Sequence, residues 1–145
     1  MSRVSTYLNF QGKTEEAFQF YRRIFGTEYT GQLMRFGDMP PPPGAPPMSD
    51  ADKKKIVHIE LPILGGHVLM ATDVLESMGQ SVKIGNNTTI NLELDTKAEA
   101  DRLYAALSEG GKAEMPMADQ FWGDYFGSLV DRFGVQWMIN YSPQQ

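Results

Sequence analysis

The chain repeats one order of predicted elements, and this repeat limits the folds open to it. Each half is predicted as a strand, a helix and three β-segments. In the first half these are residues 4–10, 14–25, 28–36, 55–64 and 67–73; in the second, 88–94, a helix from Thr96, 112–115, 125–130 and 135–140. The tripeptide Leu8-Asn9-Phe10 matches Leu92-Glu93-Leu94 at the repeat offset. An internal duplication of this kind predicts two βαβββ modules of similar topology.

Both predicted helices have start signals and one apolar stripe. Thr14 is a predicted N-cap and Gly26 a predicted stop for the first helix. Thr96 and Glu99 form a predicted capping box at the start of the second helix. Residues at helical spacing predict one buried face on each helix: Ala17, Phe20, Tyr21 and Ile24 on the first, and Ala100, Leu103, Tyr104 and Leu107 on the second.

Two turns predict the hairpins. Residues 131–134 read Asp-Arg-Phe-Gly, in which Gly134 supplies the positive φ that tight turns often need. In the first half, Gly65 and Gly66 are predicted to form a two-residue loop. That loop would set His58 opposite Asp73 and Glu60 opposite Ala71, with all of them on one face of the sheet.

This sequence contains one cluster of polar side chains suited to catalysis or ligand binding, and it consists of a histidine and two carboxylates on one sheet face. Two interpretations stay open for His58, Glu60 and Asp73: a functional site, or a satisfied polar cluster in a concave sheet. Aromatic residues crowd the stretch 121–141. They also leave two interpretations open, because aromatic side chains form a core or line a pocket.

Residues 37–52 hold six of the nine prolines and break all periodicity. Four consecutive prolines favour polyproline II and cannot continue a strand ladder. We interpret this segment as a stiff surface loop, with a partner-binding motif as the alternative. The expected organisation is a single domain over residues 1–145, with module one at about 1–75, a linker at about 76–87 and module two at about 88–141.

Composition excludes several classes of partner. The net charge of −5 disfavours nucleic acid and anionic membranes, which need clustered lysine and arginine. The chain has no cysteine, so thiol nucleophiles and thiolate ligands are excluded. It shows no signal-peptide pattern and no apolar run near 18 residues. These features predict a cytoplasmic protein with no membrane partner.

Three segments carry a resemblance to a known family: YLNFQGKTEEAFQFYRRIFG, VHIELPILGGHVLMATD and FWGDYFGSLVDRFGVQWMINY. With the duplicated βαβββ order, the chain resembles the vicinal-oxygen-chelate superfamily, which includes glyoxalase I, extradiol dioxygenases and bleomycin- and fosfomycin-resistance proteins. The segments look like its PhnB-like branch, also labelled 3-demethylubiquinone methyltransferase-like. The resemblance implies an α+β fold: two tandem βαβββ modules forming a curled mixed sheet around a cavity, with helices on the outer face, usually in a homodimer.

The resemblance also implies where a metal would be held, since metal-bearing members place one ligand on the first and last strands of each module. Those positions fall at Ser5 or Thr6, at His58 or Glu60, at Thr89 and at Met138. Hydroxyls and a thioether are poor ligands for divalent transition metals. We therefore expect no standard metal centre and no cofactor, with an unusual divalent-metal site at His58, Glu60, His67 and Asp73 as the alternative.

Two functional hypotheses follow from different classes. The first is a binding module in which Tyr7, Asn9, Trp122, Tyr125 and Met138 line a pocket for a small molecule, while His58 and Glu60 orient it. Asp73 is a further predicted ligand-binding residue. The second is an enzyme, a lyase, isomerase or dioxygenase, with Glu60 or His58 as general base. Methyl transfer is disfavoured, because no Gly-rich nucleotide loop follows the first strand and the element order differs from a doubly wound sheet.

Overall fold

The computed structural model describes residues 2–143 and divides the chain into two compact units, residues 1–83 and 84–145. Each unit contains one four-stranded mixed sheet, and both sheets have the same strand order. The predicted duplication is therefore confirmed: the first strand of each unit pairs in parallel with the last, and the remaining neighbours are antiparallel. The fold class is α+β with two βαβββ modules.

The first unit has its sheet in the order β1-β4-β3-β2, with one long helix and one short helix. Its elements are β1 (Thr6–Phe10), α1 (Thr14–Phe25), β2 (Thr30–Arg35), α2 (Asp50–Lys53), β3 (Ile56–Pro62) and β4 (Val68–Asp73). The predicted proline loop lies between β2 and β3 and ends in α2. Three single-turn 3₁₀ segments also occur: Phe36–Asp38, Leu64–Gly66 and Glu76–Met78.

Helix α1 covers one face of this sheet through the predicted stripe, whose members are all buried: Ala17, Phe20, Tyr21 and Ile24. They pack with Ile59 and Leu61 of β3 and with Leu69 and Ala71 of β4 in the core of the unit. The prediction of Thr14 as N-cap is wrong by one residue. Lys13 occupies the cap position and makes no side-chain cap bond. The buried Thr14 is already helical, and the Asp73 carboxylate accepts its backbone N–H.

The second unit repeats the plan in the order β5-β8-β7-β6. Its elements are β5 (Ile90–Leu94), α3 (Lys97–Ser108), β6 (Lys112–Asp119), β7 (Tyr125–Val130) and β8 (Gln136–Tyr141). The Thr96 hydroxyl accepts the Glu99 N–H as predicted, but the Glu99 carboxylate accepts from Arg102. The predicted hairpin turn after β7 is confirmed, because the Gly134 N–H bonds the Asp131 carbonyl at 3.0 Å.

The hairpin register predicted for the first unit is wrong by one residue. The loop between β3 and β4 is closed by the pair Ile63 and His67, so it contains three residues rather than two. Glu60 consequently pairs with Met70, and Ile59 pairs with Ala71. Because side chains alternate along a strand, a slip of one residue moves every partner to the other face of the sheet.

Candidate functional site

Residues of β1, β3 and β4 share the face of the first sheet that points away from α1, and we call this surface the His58 face. Strand alternation and the observed register place them together: Tyr7, Asn9, His58, Glu60, Met70 and Thr72. Tyr7 is the neighbour of Met70 across the parallel pair β1–β4, and Asn9 is the neighbour of Thr72. Four of the predicted site residues, Tyr7, Asn9, His58 and Glu60, are therefore brought onto one surface.

The polar centre of the His58 face is a hydrogen-bonded pair. The His58 Nε2 atom lies 3.0 Å from Glu60 Oε2. Their side chains are 30% and 19% exposed, so both are sheltered yet reachable from solvent. Arg3, which the sequence reasoning missed, places Nη2 3.7 Å from Glu60 Oε1. Glu60 thus has a cationic group near one oxygen and an imidazole on the other.

Gly31 on the neighbouring strand β2 makes room for this carboxylate. A Cβ atom built at Gly31 would collide with Glu60 Oε2 and would lie 2.9 Å from its Cδ. Gly31 also has φ = +65°, a conformation that side-chain-bearing residues rarely adopt. The backbone of β2 therefore approaches Glu60 more closely than any other residue type would allow at this position.

Asp73 is not part of the His58 face. It is 4% exposed and lies on the helix side of the sheet. There its carboxylate accepts the backbone N–H groups of Thr14 at 3.0 Å and Ile56 at 2.9 Å. The register error explains the difference, since a two-residue loop would have put Asp73 on the same face as His58. The expectation that Asp73 joins His58 and Glu60 is wrong, because its carboxylate holds backbone together.

His67 is also separate from the His58–Glu60 pair. Its Nε2 atom lies 2.8 Å from Thr6 Oγ1, at the start of β1. Across residues 2–143, no three His, Cys, Asp or Glu side chains come together in a group that could hold a metal ion. The alternative ligand set of His58, Glu60, His67 and Asp73 is therefore not assembled in the structure. Two donors, His58 and Glu60, are fewer than the three protein ligands of a typical catalytic zinc site.

The remaining predicted site residues, Trp122, Tyr125 and Met138, belong to the second unit, where they lie on opposite sides of the sheet. Met138 pairs with Ser128, on the face of the second sheet that points away from α3. Trp122 lies in the turn before β7 and packs on Phe126, with 6.3 Å between the ring centroids. Phe126 is on the same face as Met138, because residues 126 and 128 alternate with the buried Gly127 and Leu129.

Tyr125 lies on the other side of this sheet. Its hydroxyl donates to Asp101 Oδ1 of α3 at 2.6 Å, and Lys97 Nζ lies 4.4 Å from the ring centroid. The hydrogen bond to Asp101, followed by desolvation, raises the pKa of Tyr125 to about 12. The structure thus separates Tyr125 from Trp122 and Met138, the residues with which the sequence grouped it.

A shallow cavity of about 300 Å³ lies elsewhere in the first unit, at the C-terminal end of α1. Its lining residues are Gln19, Arg22, Arg23, Gly26, Thr27 and Glu28. Arg22 Nη2 donates to Glu28 Oε2 at 2.6 Å, so the basic charge there is partly neutralised. None of the predicted site residues lines this cavity. The strongest chemical arrangement in the first unit remains the His58 face.

The two βαβββ modules define a fold that other solved structures share. A glyoxalase-related enzyme from Fulvimarina pelagi has the same fold, with a TM-score of 0.59 at 19% identity over 99% of this chain and 90% of that one. A glyoxalase/bleomycin resistance protein/dioxygenase family enzyme from Burkholderia phytofirmans is similar too, with a TM-score of 0.58 at 17% identity over 95% of this chain and 98% of that one. Such a level of identity shows the fold alone.

Relatives of higher sequence identity show the family to which this chain belongs. The model described as 3-demethylubiquinone-9 3-methyltransferase matches residues 2–140. Protein YjdN of Escherichia coli is 30% identical over 147 residues, covering 98% of this chain and 97% of YjdN. The crystal structure of protein PA1353 from Pseudomonas aeruginosa is 37% identical, with a TM-score of 0.82 and 98% of both chains covered. The chain belongs to the 3-demethylubiquinone-9 3-methyltransferase family.

Proposed function

We propose that the protein binds a small organic molecule on the His58 face, with the His58–Glu60 pair fixing the polar end of that molecule. The observation that carries the proposal is the 3.0 Å contact between His58 Nε2 and Glu60 Oε2 on a partly sheltered surface. Tyr7 and Met70 supply the apolar area beside it, and Tyr7 is 51% exposed. An apolar surface with a few convergent polar groups is the usual composition of a ligand site.

The same pair supports proton transfer. When the Nε2–H group of His58 donates a hydrogen bond to Glu60, the carboxylate is held in one orientation. It stays ionised and keeps lone pairs for a ligand O–H or an acidic C–H. A positioned carboxylate of this kind acts as a general base. Glu60 is therefore the proposed base, and His58 orients it. We infer lyase or isomerase chemistry on a carbonyl or diol substrate if the protein turns its ligand over.

Methyl transfer is not proposed, despite the description attached to the family model. The sheets have the order 1-4-3-2 within each module rather than the order of a doubly wound nucleotide-binding sheet. The segment Gln11-Gly12-Lys13 that follows β1 also lacks the glycine-rich pattern of a nucleotide loop.

The test uses catechol, whose adjacent hydroxyls match the Glu60 acceptor and whose ring matches Tyr7. 1,2-Dimethoxybenzene is the control ligand, because it has the same ring and no O–H donor. We expect calorimetry to show that catechol binds more tightly than the dimethoxy compound. We also expect Glu60→Gln to weaken catechol binding about tenfold through loss of the charged acceptor.

Glu16→Gln is the matched control variant, because it makes the same chemical change on α1, where Glu16 is 61% exposed. Thermal unfolding of both variants should match the parent within a few degrees. Equal catechol affinity in the parent and in Glu60→Gln would overturn the assignment. Equal affinity for catechol and the dimethoxy compound would do the same.

A metal-dependent lyase, isomerase or dioxygenase is the second candidate, and the ligand types of His58 and Glu60 favour it. A bound divalent metal would supply Lewis-acid chemistry. The test is the metal content of the purified protein, followed by thermal unfolding with added Ni²⁺, Mn²⁺, Fe²⁺ or Zn²⁺. A metal that binds only the folded state raises Tm by mass action. A rise in Tm that is absent in His58→Ala would support this candidate. Unchanged Tm values would show that the His58–Glu60 pair binds none of these four metals.

We also propose that the protein is a homodimer, because of the family resemblance. We propose a cytoplasmic location because the chain has no cysteine. Across residues 2–143, no helix has both the length and the apolar character needed to cross a membrane. Sedimentation equilibrium tests the oligomeric state, and a monomeric mass at micromolar concentration would contradict the dimer. Cell fractionation tests the compartment.

A further inference from the structure

The proline loop between β2 and β3 presents an exposed run of prolines that the proposed function does not use. Residues 37–47 are all exposed. A turn closes the tip of the loop, where the Ala45 N–H bonds the Pro42 carbonyl at 3.1 Å and Gly44 has φ = +79°. A proline followed by a glycine at the two central positions favours a type II turn. The four prolines at 40–43 favour the extended polyproline II conformation up to this turn.

Both ends of the loop are tied to the first unit. At its start, the Phe36 N–H bonds the Lys55 carbonyl at 3.0 Å. At its end, the Ser49 hydroxyl accepts the Asp52 N–H at 3.1 Å. The buried Asp52 carboxylate in turn accepts the Ser77 hydroxyl at 2.7 Å. A loop that is already held at both ends loses less conformational freedom when its tip binds a partner.

The backbone acceptors of the proline run are free. Within residues 2–143, no hydrogen bond reaches the carbonyl groups of Pro40, Pro41 or Pro43. A polyproline II segment has no internal hydrogen bonds, and surfaces lined with aromatic rings bind such segments. The loop therefore offers proline rings for packing and carbonyl oxygens for hydrogen bonds.

The turn between β6 and β7 carries an aromatic surface at its tip. The Gly123 N–H bonds the Gln120 carbonyl at 3.0 Å, and the Gln120 N–H bonds the Asp124 carbonyl at 2.8 Å, so two backbone bonds fix this turn. Its central residues are Phe121 and Trp122, whereas glycine, proline and small polar residues usually occupy such positions. The two rings stand at 90° with their centroids 5.0 Å apart.

A free donor accompanies the exposed rings of this Phe121–Trp122 pair. Phe121 is 97% exposed and Trp122 is 53% exposed. In the part of the chain that the structure describes, the Trp122 indole N–H meets no hydrogen-bond acceptor. A tryptophan N–H usually finds an acceptor when its ring is covered. The pair therefore complements the proline run, which has exposed rings and acceptors without donors.

We propose that the proline loop docks on the Phe121–Trp122 pair of a second copy of this chain. The proline rings pack on the aromatic faces, and the indole N–H donates to a free carbonyl in residues 40–43. Because one chain carries both halves of the contact, a twofold dimer forms it twice, with each copy giving its loop to the other. The inference rests on the proposed homodimer and names the contact that holds the two copies together.

Quenching of tryptophan fluorescence by acrylamide tests the contact. Trp137 is fully buried, so quenching reports mainly on Trp122. Replacing the four prolines at 40–43 by alanine should raise the quenching constant about twofold, because the indole then loses the loop that covers it.

A synthetic peptide supplies the missing loop and its own control. The peptide with the sequence of residues 38–48 is added to the alanine variant. We expect it to return the quenching constant to that of the parent protein in a saturable manner. A second peptide of the same length and charge, with alanine at 40–43, should have no effect.

A disulfide tests whether the contact joins two copies. The chain has no cysteine, so introduced cysteines react only with one another. Ala45 lies at the loop tip, and the exposed Ala118 pairs with Phe126, on which Trp122 packs. Ala45→Cys/Ala118→Cys should oxidise to a covalent dimer on a non-reducing gel. Ala45→Cys/Glu109→Cys is the control, with its second cysteine at the exposed end of α3, and should stay monomeric.

The remaining outcomes overturn the proposal, and sedimentation equilibrium separates the two claims. A dimeric parent with equal quenching in the parent and in the alanine variant would refute the contact and leave the homodimer. A monomeric parent would refute the homodimer, and a response of that monomer to the proline peptide would assign the aromatic pair to prolines of another protein.

The cysteine variants and the two peptides also decide against the contact in defined cases. Equal responses to the two peptides, a disulfide within one chain, or equal cross-linking in the control would each contradict it. If the alanine variant fails to fold, the disulfide still decides, since Ala45→Cys/Ala118→Cys keeps all four prolines of the run.

Discussion

The Asp73 carboxylate at the end of β4 accepts the backbone N–H of Thr14, the first residue of α1, with 3.0 Å between Oδ1 and N. Its other oxygen accepts the N–H of Ile56 at the start of β3, at 2.9 Å. One buried side chain therefore joins two strands and a helix in the first unit. It satisfies one of the backbone donors that a helix start leaves without an intrahelical partner.

Replacing Asp73 by asparagine should lower the free energy of unfolding by about 2 kcal/mol, because an amide has one acceptor oxygen and leaves a buried N–H without a partner. Urea unfolding followed by circular dichroism measures the change. Asp119→Asn, on exposed strand β6, is the control and should change stability by less than about 0.5 kcal/mol. Equal stability of the two variants would contradict the bridging role of Asp73.

Gly31→Ala should destabilise the protein by about 2 kcal/mol and displace Glu60. The positive φ accounts for part of the loss and the collision with Glu60 Oε2 for the rest. Gly44→Ala is the control, because Gly44 also has positive φ but no atom within 4 Å of the added Cβ. We expect Gly44→Ala to keep the catechol affinity of the parent and Gly31→Ala to lose it. Retained affinity in Gly31→Ala would show that Glu60 is not confined by β2.

Arg35→Lys should cost about 0.5–1 kcal/mol at neutral pH, since Arg35 Nη1 and Nη2 donate to the two Glu15 oxygens at 3.0 and 2.7 Å. The value is small because both side chains are more than a third exposed. The hydrogen bond from Arg35 lowers the pKa of Glu15 below its ordinary value of 4.5. The pair therefore stabilises the fold above pH 4.5, and the stabilisation is lost as pH falls through the folded-state pKa.

Urea unfolding of the parent and of Arg35→Lys at pH 7 and at pH 2 measures this dependence. The difference between the two proteins should shrink at the lower pH. A difference of equal size at both pH values would show that Arg35 acts through its bond to the Lys54 carbonyl rather than through Glu15.

Asp101→Asn should lower the pKa of Tyr125 from its value of about 12, because the hydrogen bond to the Asp101 carboxylate is the largest cause of the raised pKa. Phenolate absorbance during an alkaline titration, compared with that of Tyr125→Phe, isolates this group. A raised folded-state pKa stabilises the fold fully below pH 10, and this contribution is lost as pH rises towards 12. Asp119→Asn, which removes a weaker charge effect, should move the pKa less. An unchanged pKa in Asp101→Asn would contradict the bond.

Local signals predicted much of the fold. Helix α1 spans the predicted residues 14–25, and strand β7 spans the predicted residues 125–130. Both depend on interactions near in sequence, such as an apolar stripe at helical spacing or the glycine of the 131–134 turn. The repeated order of elements was equally readable, because each module carries its own set of these signals.

Which residues share a face was predicted less well. The length of the loop before His67 sets the register of β3 against β4, and the sequence Leu64-Gly65-Gly66 allows loops of two or three residues. The three-residue loop moves Asp73 to the helix side and brings Met70 beside Glu60. Tyr125 was likewise grouped with Met138, although a bond to Asp101 on α3 keeps it on the opposite face.

The sequence by itself determined the α+β class, the two βαβββ modules, the family resemblance and the position of His58 and Glu60 on one strand. The tertiary structure decided that these two side chains are hydrogen-bonded, that Arg3 and Gly31 confine Glu60, and that Asn140 binds the Asp124 carboxylate in the second unit. Periodicity and turn chemistry act over a few residues and can be read directly. The contacts of a side chain depend on strand register and on residues distant in sequence, such as Gly31 for Glu60, and only the folded chain specifies them.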